Sequence, residues 1–278
     1  MVKNKSQHEP VILSAVRTPI GRFLGTLSSL TATQLGAAAV RAAVQRAGLD
    51  GKAAFDEVIM GNVVSAGAGQ APARQAGIFA GLDPAIGATT VNKVCGSGLK
   101  AVMLASQAIK AEDGHLFVAG GMESMSKAPF LVEGRGGLRY GNTQLIDAIV
   151  QDGLRDPFEE WLMGDAAEFI AEEYEVTRYA MDEYALKSHQ KALAAMDSGK
   201  FKQEIVPVEV KDKKGKVSVV ESDESPRRDT SLELLAKLPA QSSSRSLMRP
   251  RAGASSSVIT TRSDWGCLLT FPPSRTEA

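Results

Sequence analysis

The sequence is short of cysteine and histidine and has no excess of either charge. Cys95 and Cys267 are the only cysteines in 278 residues, so no disulfide scaffold is expected. They and the three histidines, His8, His115 and His189, are too scattered for zinc-ligand spacing, so no metal is expected. Lys+Arg and Asp+Glu both number 32, a formal net charge of zero. That balance disfavours a strongly basic nucleic-acid binder and a solvating acidic chain. No apolar run reaches the ~18 residues of a membrane helix. The opening stretch, Met1 to Pro10, has no apolar h-region. A soluble, cytoplasmic protein is the expectation, with neither nucleic acid nor membrane as partner. What is present is ordinary for a folded domain: 44% hydrophobic and 23% charged residues, enough to bury a sizeable core.

Residues 1–239 alternate apolar runs with helical patterns. Val11-Ile12-Leu13-Ser14-Ala15 reads as a buried strand. Thr31 or Thr33 caps a helix carrying Leu35, Ala39, Val40, Ala43 and Val44 on one face, with Gly48 as its stop. A strand at 56–64 leads to a helix opened by Pro72. A strand at 89–94, a helix at 99–111 and a strand at 116–119 follow. The rhythm predicts an α/β fold with a mainly parallel sheet covered by helices on both faces. Beyond Gly121 it changes: a glycine-rich stretch, helices at 163–174 and from the cap Thr177 to Asp197, then a hairpin around Lys213-Lys214-Gly215. The second of those helices has an apolar stripe through Met181, Tyr184, Ala185 and Ala192.

The last 39 residues differ in kind. They hold nine Ser, five Arg, two acids and no Lys, and stretches such as Gln241 to Arg251 have no helical or strand period. Only Trp265 to Phe271 is apolar enough to pack. An irregular tail over 240–278 is expected, as a natural extension or as the product of a reading-frame shift near codon 240.

The most informative segment is Asn92-Lys93-Val94-Cys95-Gly96-Ser97-Gly98, a cysteine at a strand–turn–helix junction. Gly96 and Gly98 remove Cβ atoms where the backbone bends and a substrate approaches. Unpaired N–H groups at a helix start favour negative charge on sulfur. A lone cysteine is also commonly a small buried hydrophobe, and both readings stand. Other features are weaker. Gly67-Ala68-Gly69 lacks phosphate-loop spacing. Val118 to Ser126 reads as a strand and a buried turn with methionine packing, and His189 as a structural residue inside a helix.

Taken together, these motifs resemble the thiolase family. The likeness runs from Val11 through Arg17-Thr18-Pro19-Ile20-Gly21 to about Pro239. It includes the Cys95 segment, Ala119-Gly120-Gly121-Met122-Glu123-Ser124-Met125-Ser126, and Ala185 to Ala192. The resemblance implies a thiolase-like N-terminal α/β domain over 1–125 and an inserted α+β loop domain over 126–239 that holds coenzyme A. It also implies a homo-oligomer, dimer or tetramer, with 129–149 at the tetramer-forming loop. The implied chemistry is Claisen condensation of two acetyl-CoA to acetoacetyl-CoA and CoA, or the reverse thiolysis. Cys95 is then the nucleophile, Arg227 contacts the CoA nucleotide and Met163 shapes the pantetheine and acyl pocket. Leu162 stands where acetoacetyl-CoA-forming members commonly have His. No separate cofactor is implied, because the CoA thioester is the substrate.

Three second-half segments of the family do not occur here: Asn-Ala-Ser, Gly-His-Pro and Cys-x-Gly. Gly266-Cys267-Leu268-Leu269 is not equivalent to the last. The resemblance therefore implies a chain whose condensation is impaired. The alternative is a non-catalytic fragment that binds CoA or pairs with intact subunits. A ketoacyl-synthase-like acyltransferase is a third reading, against which the loop domain argues.

Overall fold

A computed structural model describes residues 9–239 and the backbone of residues 265–270. In chain order the elements are β1 (Val11–Arg17), α1 (Ala32–Arg46), β2 (Glu57–Gly61), α2 (Pro72–Ala80), β3 (Gly87–Val91), α3 (Ser97–Lys110) and β4 (Leu116–Gly121). There follow β5 (Phe130–Leu131), β6 (Ile146–Asp147), α4 (Met163–Glu173), α5 (Arg178–Asp197), β7 (Val208–Lys211), β8 (Val217–Val220), α6 (Leu232–Ala236) and β9 (Trp265–Thr270). The described residues form two compact units. One holds 9–129, 202–222 and β9; the other holds 130–201 and 223–239.

The first unit is built on a five-stranded sheet in the order β1-β9-β4-β2-β3. β2 runs parallel to both β3 and β4, with Val58 opposite Ala88 and Val118. β9 is antiparallel to β1 and to β4. Side chains alternate along the strands, and the alternation sorts the core into two layers. Val58, Met60 and Val118 pack with Val40 and Val44 of α1 and Ala73 and Ala76 of α2. Ile59, Phe117 and Ala119 pack on the opposite face with Ala101, Ala105 and Ile109 of α3. Helices thus cover both faces, as the strand–helix rhythm predicts. Each large apolar side chain so buried contributes ~1.5–3 kcal/mol.

Local chemistry sets the element ends. Thr31 caps α1: its hydroxyl accepts from the Gln34 N–H at 3.2 Å, and Gln34 Oε1 accepts from the Thr31 N–H at 2.9 Å. Pro72 opens α2, where the missing N–H costs nothing. Gly48, Gly81 and Gly199 follow helices with positive φ.

The division of the chain differs from the one read in the sequence at 126–129 and at 202–222, both of which group with the first unit. Both are expected from the sequence within the loop domain at 126–239. For 202–222, two arginines and a small apolar cluster explain the difference. Arg17, 4% exposed, donates to Glu204 at 2.7 Å. Arg46 donates to the carbonyls of Gln203 and Ile205. Val208 and Val210 of β7 pack with Leu27 and Leu35.

The second unit contains the β5–β6 ladder, with Phe130 opposite Asp147. It also contains α4, α5 and α6. Arg178 holds α5 to α6: it pairs with Asp182 at 2.9 Å and donates to the carbonyls of Leu235 and Leu238. The stripe on α5 is not a buried face, since Tyr184 is 78% exposed and no residue of that helix is buried. Of the expected irregular tail, only β9 falls within the described residues, and it coincides with the apolar stretch. The remainder of 240–278, and His8, lie outside them. Among the described residues, no helix is long and apolar enough to cross a membrane.

Candidate active site

Cys95 lies in the turn between β3 and α3, at the C-terminal edge of the parallel strands, and is exposed. Exposure removes the reading of this cysteine as a small core hydrophobe. The turn is closed by its own neighbours. Asn92 Oδ1 accepts from the Val94 N–H at 2.9 Å. The Lys93 N–H donates to Ser97 Oγ at 2.8 Å, and that hydroxyl donates to the Val94 carbonyl at 2.6 Å. Ser97 is 4% exposed, so the bond network anchors the turn from beneath. No side chain caps the start of α3, and Cys95 has no side-chain hydrogen bond or ion pair among the described residues.

The sharp bend is not where the glycines suggest. Gly96 has φ −89°, ordinary for any residue, whereas Val94 has φ +47°. A β-branched residue in the left-handed region is strained, at a cost of ~1–3 kcal/mol. Gly98 serves close approach: a Cβ there would lie 3.4 Å from the Gly121 backbone. Gly61, unremarked in the sequence, is tighter still. Its Cβ would lie 2.5 Å from the Ser97 carbonyl carbon. The start of α3 is therefore wedged against the ends of β2 and β4 by the absence of two side chains.

Just beyond those strand ends lie two residues that the motif reading did not single out as functional. Asn62 Nδ2 donates to Glu123 Oε1 at 2.8 Å and to the Met122 carbonyl at 3.2 Å. The Val63 N–H donates to Glu123 Oε2 at 2.8 Å. Burial pushes the Glu123 carboxyl above its ordinary value, against the opposing pull of donors at Val63, Val64 and Asn62. The available signal was a polar residue within two positions of the end of each of two buried strands. Met122 is buried, as read, and packs where a Cβ on Gly36 would meet its sulfur.

Met163 and Arg227 belong to the second unit. Met163 opens α4, where Asp165 Oδ2 accepts from the Leu162 N–H at 3.0 Å. It is partly exposed beside Trp161, whose ring lies 5.4 Å from that of Phe169. Arg227 is exposed, and its guanidinium makes no ion pair among the described residues. Its backbone N–H donates to His189 Nδ1 at 3.1 Å, which gives His189 its structural role. The neighbouring Arg228 is engaged: both Asp197 oxygens accept from it, at 2.5 and 3.0 Å. That pairing holds the Asp197 carboxyl below its usual range, chiefly through the hydrogen bond.

The Gly67–Pro72 loop is closed on itself rather than opened toward an anion. Gln75 Nε2 donates to the carbonyls of Ala68 and Gln70 at 2.9 and 2.7 Å. Among the described residues there is no cluster of His, Cys, Asp and Glu that could hold a metal ion.

Comparison with known proteins places this arrangement. Residues 10–257 match the family model for the thiolase N-terminal domain. An acetyl-CoA acetyltransferase of Pseudomonas aeruginosa is 48% identical over 229 residues, which is 82% of this chain and 58% of that protein. A probable acetyl-CoA acetyltransferase of Escherichia coli K12 is 50% identical over the same shares. Acetyl-CoA acetyltransferase 2 of Arabidopsis thaliana is 49% identical over 215 residues, 77% of this chain and 53% of that protein. The chain thus spans somewhat more than half the length of these relatives. With a strand-end cysteine at the start of a helix, and with the family model matching most of its length, the chain belongs to the thiolase family.

Proposed function

We propose that this chain carries the nucleophile-bearing part of an acetyl-CoA C-acetyltransferase. The observation that carries the reading is the exposed Cys95, held in a strained turn at the uncapped start of α3. The Cys95 thiolate attacks the thioester carbon of acetyl-CoA. The carbon–sulfur bond to CoA breaks, CoA leaves as its thiolate and takes up a proton, and the acetyl group remains on Cys95. In the second half-reaction the α-carbon of another acetyl-CoA loses a proton and attacks the acyl-cysteine. A carbon–carbon bond forms, the Cys95–acyl bond breaks, and acetoacetyl-CoA is released. Thiolysis of a 3-ketoacyl-CoA is the same path reversed.

In this reading Arg227 contacts the CoA nucleotide. A guanidinium with no ion pair among the described residues is available for phosphate or for stacking on adenine. Met163 shapes the wall near the pantetheine and acyl group, and no cofactor beyond the CoA thioester takes part. The protein works in the cytoplasm as a dimer or tetramer. Acyl transfer to Cys95 is the step these residues support directly. Proton abstraction from the second acetyl-CoA needs a base, and no described residue is bonded to Cys95 to serve as one. General acid–base help is worth ~10²–10⁴-fold, so the complete condensation by these 278 residues is expected to be slow.

The test is incubation with acetyl-CoA followed by mass spectrometry of the Cys95 peptide. An acetyl increment that disappears in Cys95→Ser supports the reading. CoA binding without any increment on Cys95 overturns the catalytic reading in favour of a CoA-binding fragment.

A further inference from the structure

The pair Asn62 and Glu123 sits at the junction from which the Cys95 turn departs, and no step of the chemistry uses it. The Glu123 carboxylate accepts from three donors: Asn62 Nδ2, the Val63 N–H and the Val64 N–H. The carboxylate bridges the chain leaving β4 to the chain leaving β2. From there the connection continues toward the cysteine. The Asn62 N–H donates to the Val91 carbonyl at 3.1 Å, at the end of β3. Asn92 Nδ2 donates to the Val63 carbonyl at 3.4 Å, and Asn92 Oδ1 accepts from the N–H of the strained Val94.

Asn62 itself is 2% exposed. Its amide orientation is dictated by two acceptors, Glu123 Oε1 and the Met122 carbonyl, while its own Oδ1 is buried with no hydrogen-bond partner. A buried orphan acceptor is costly. Both bonds of the Asn62 side chain are made by the donor side of its amide.

We infer that Glu123 is a positioning residue for Cys95, acting through Asn62, the 62–64 backbone and Asn92 to hold the strained turn in place. The inference rests on the reading of Cys95 as the nucleophile for its functional meaning, but its structural content is independently measurable. A carboxylate suits the task because both of its oxygens accept. Glutamine at 123 turns an amide NH₂ toward a donor and so breaks one link.

The experiment compares the full chain with Glu123→Gln and Asp56→Asn by amide hydrogen exchange and mass spectrometry. Asp56 is the control: its carboxylate accepts from the His115 and Leu116 N–H groups at the other end of β4. In Glu123→Gln, exchange in the peptide spanning residues 91–99 is expected to accelerate by about tenfold or more, the size of losing one hydrogen bond to a charged group. Asp56→Asn is expected to leave that peptide unchanged. Unchanged exchange in Glu123→Gln overturns the inference, as does equal acceleration in Asp56→Asn, which marks general loosening.

If Glu123→Gln is not recovered folded, the exposed Asn92→Ala decides, because it removes the Asn92 bonds to the Val63 carbonyl and from the Val94 N–H and leaves the Glu123 contacts in place. Acceleration of the same peptide supports the inference and unchanged exchange overturns it. Acetylation of Cys95 by acetyl-CoA is followed in parallel. It is expected to slow by about tenfold in Glu123→Gln and not in Asp56→Asn. A wild-type chain that takes no acetyl group overturns the enzymatic reading while the exchange result stands. Acetylation and exchange that are both indifferent to Glu123→Gln overturn the positioning role alone.

Discussion

Gly61 and Ser97 meet so closely that a methyl group on Gly61 would sit 2.5 Å from the Ser97 carbonyl carbon and 2.6 Å from the next backbone nitrogen. The end of β2 is thus the floor on which the start of α3, and hence the Cys95 turn, rests. Backbone cannot yield as the far end of a flexible side chain can. Gly61→Ala is therefore expected to destabilise the chain by about 1–3 kcal/mol, the usual cost of overpacking. It should also depress Cys95 acetylation. Gly136 is the contrasting site, with open space where its Cβ would be, and Gly136→Ala should stay within ~0.5 kcal/mol. Urea unfolding of both variants checks the pair.

Much of this was legible in the sequence, and the reasons are local. The caps at Thr31 and Thr177, Pro72 at a helix start, and Gly215 in a hairpin turn are chemical signals read over three or four residues. The Cys95 junction was legible because a strand pattern runs into a helix pattern with only a short turn between. The location of the bend was not. Glycine spacing points to Gly96, whereas the left-handed residue is Val94, whose carbonyl accepts from the Ser97 hydroxyl. Nor were Asn62 and Glu123 legible as a pair. They are brought together by the parallel register of β2 and β4, which sets Gly61 opposite Gly121, and no local pattern encodes that register. The stripe on α5 misled because periodicity says that a face is apolar, not that something within the same unit covers it.

The bond between the Arg227 N–H and His189 Nδ1 makes a second prediction. The imidazole must be unprotonated at Nδ1 to accept, and it fixes the backbone at the residue proposed to meet the CoA nucleotide. Arg227→Ala is expected to weaken CoA binding about tenfold by removing a charge-assisted contact. His189→Leu leaves the guanidinium in place but frees its backbone, so a smaller loss of about threefold is expected. Arg228→Ala breaks only the exposed pair with Asp197 and should change affinity less than either. Calorimetric titration with CoA ranks the three. If Arg228→Ala proves the most damaging, the assignment of Arg227 fails.

The last prediction concerns pH and follows from Glu123. Burial raises its carboxyl above the ordinary carboxylate value, despite three donors that favour the charged form. A group that binds its proton more readily when folded makes the folded state the better proton acceptor across that interval. Linkage then requires the unfolding free energy to fall as pH rises, starting near the unfolded value and ending once the raised folded value is passed. Below the window the contribution vanishes; above it the penalty is constant. The sign is opposite to that of Asp197, whose lowered value adds stability that is lost as pH falls. Unfolding free energy measured by urea titration at a series of pH values, for wild type and Glu123→Gln, isolates the effect. The wild-type minus variant difference should decline as pH rises from the ordinary carboxylate range and level off once the raised value is passed. A difference that rises with pH would mean that the three donors outweigh burial, and that the fold favours the charged carboxylate.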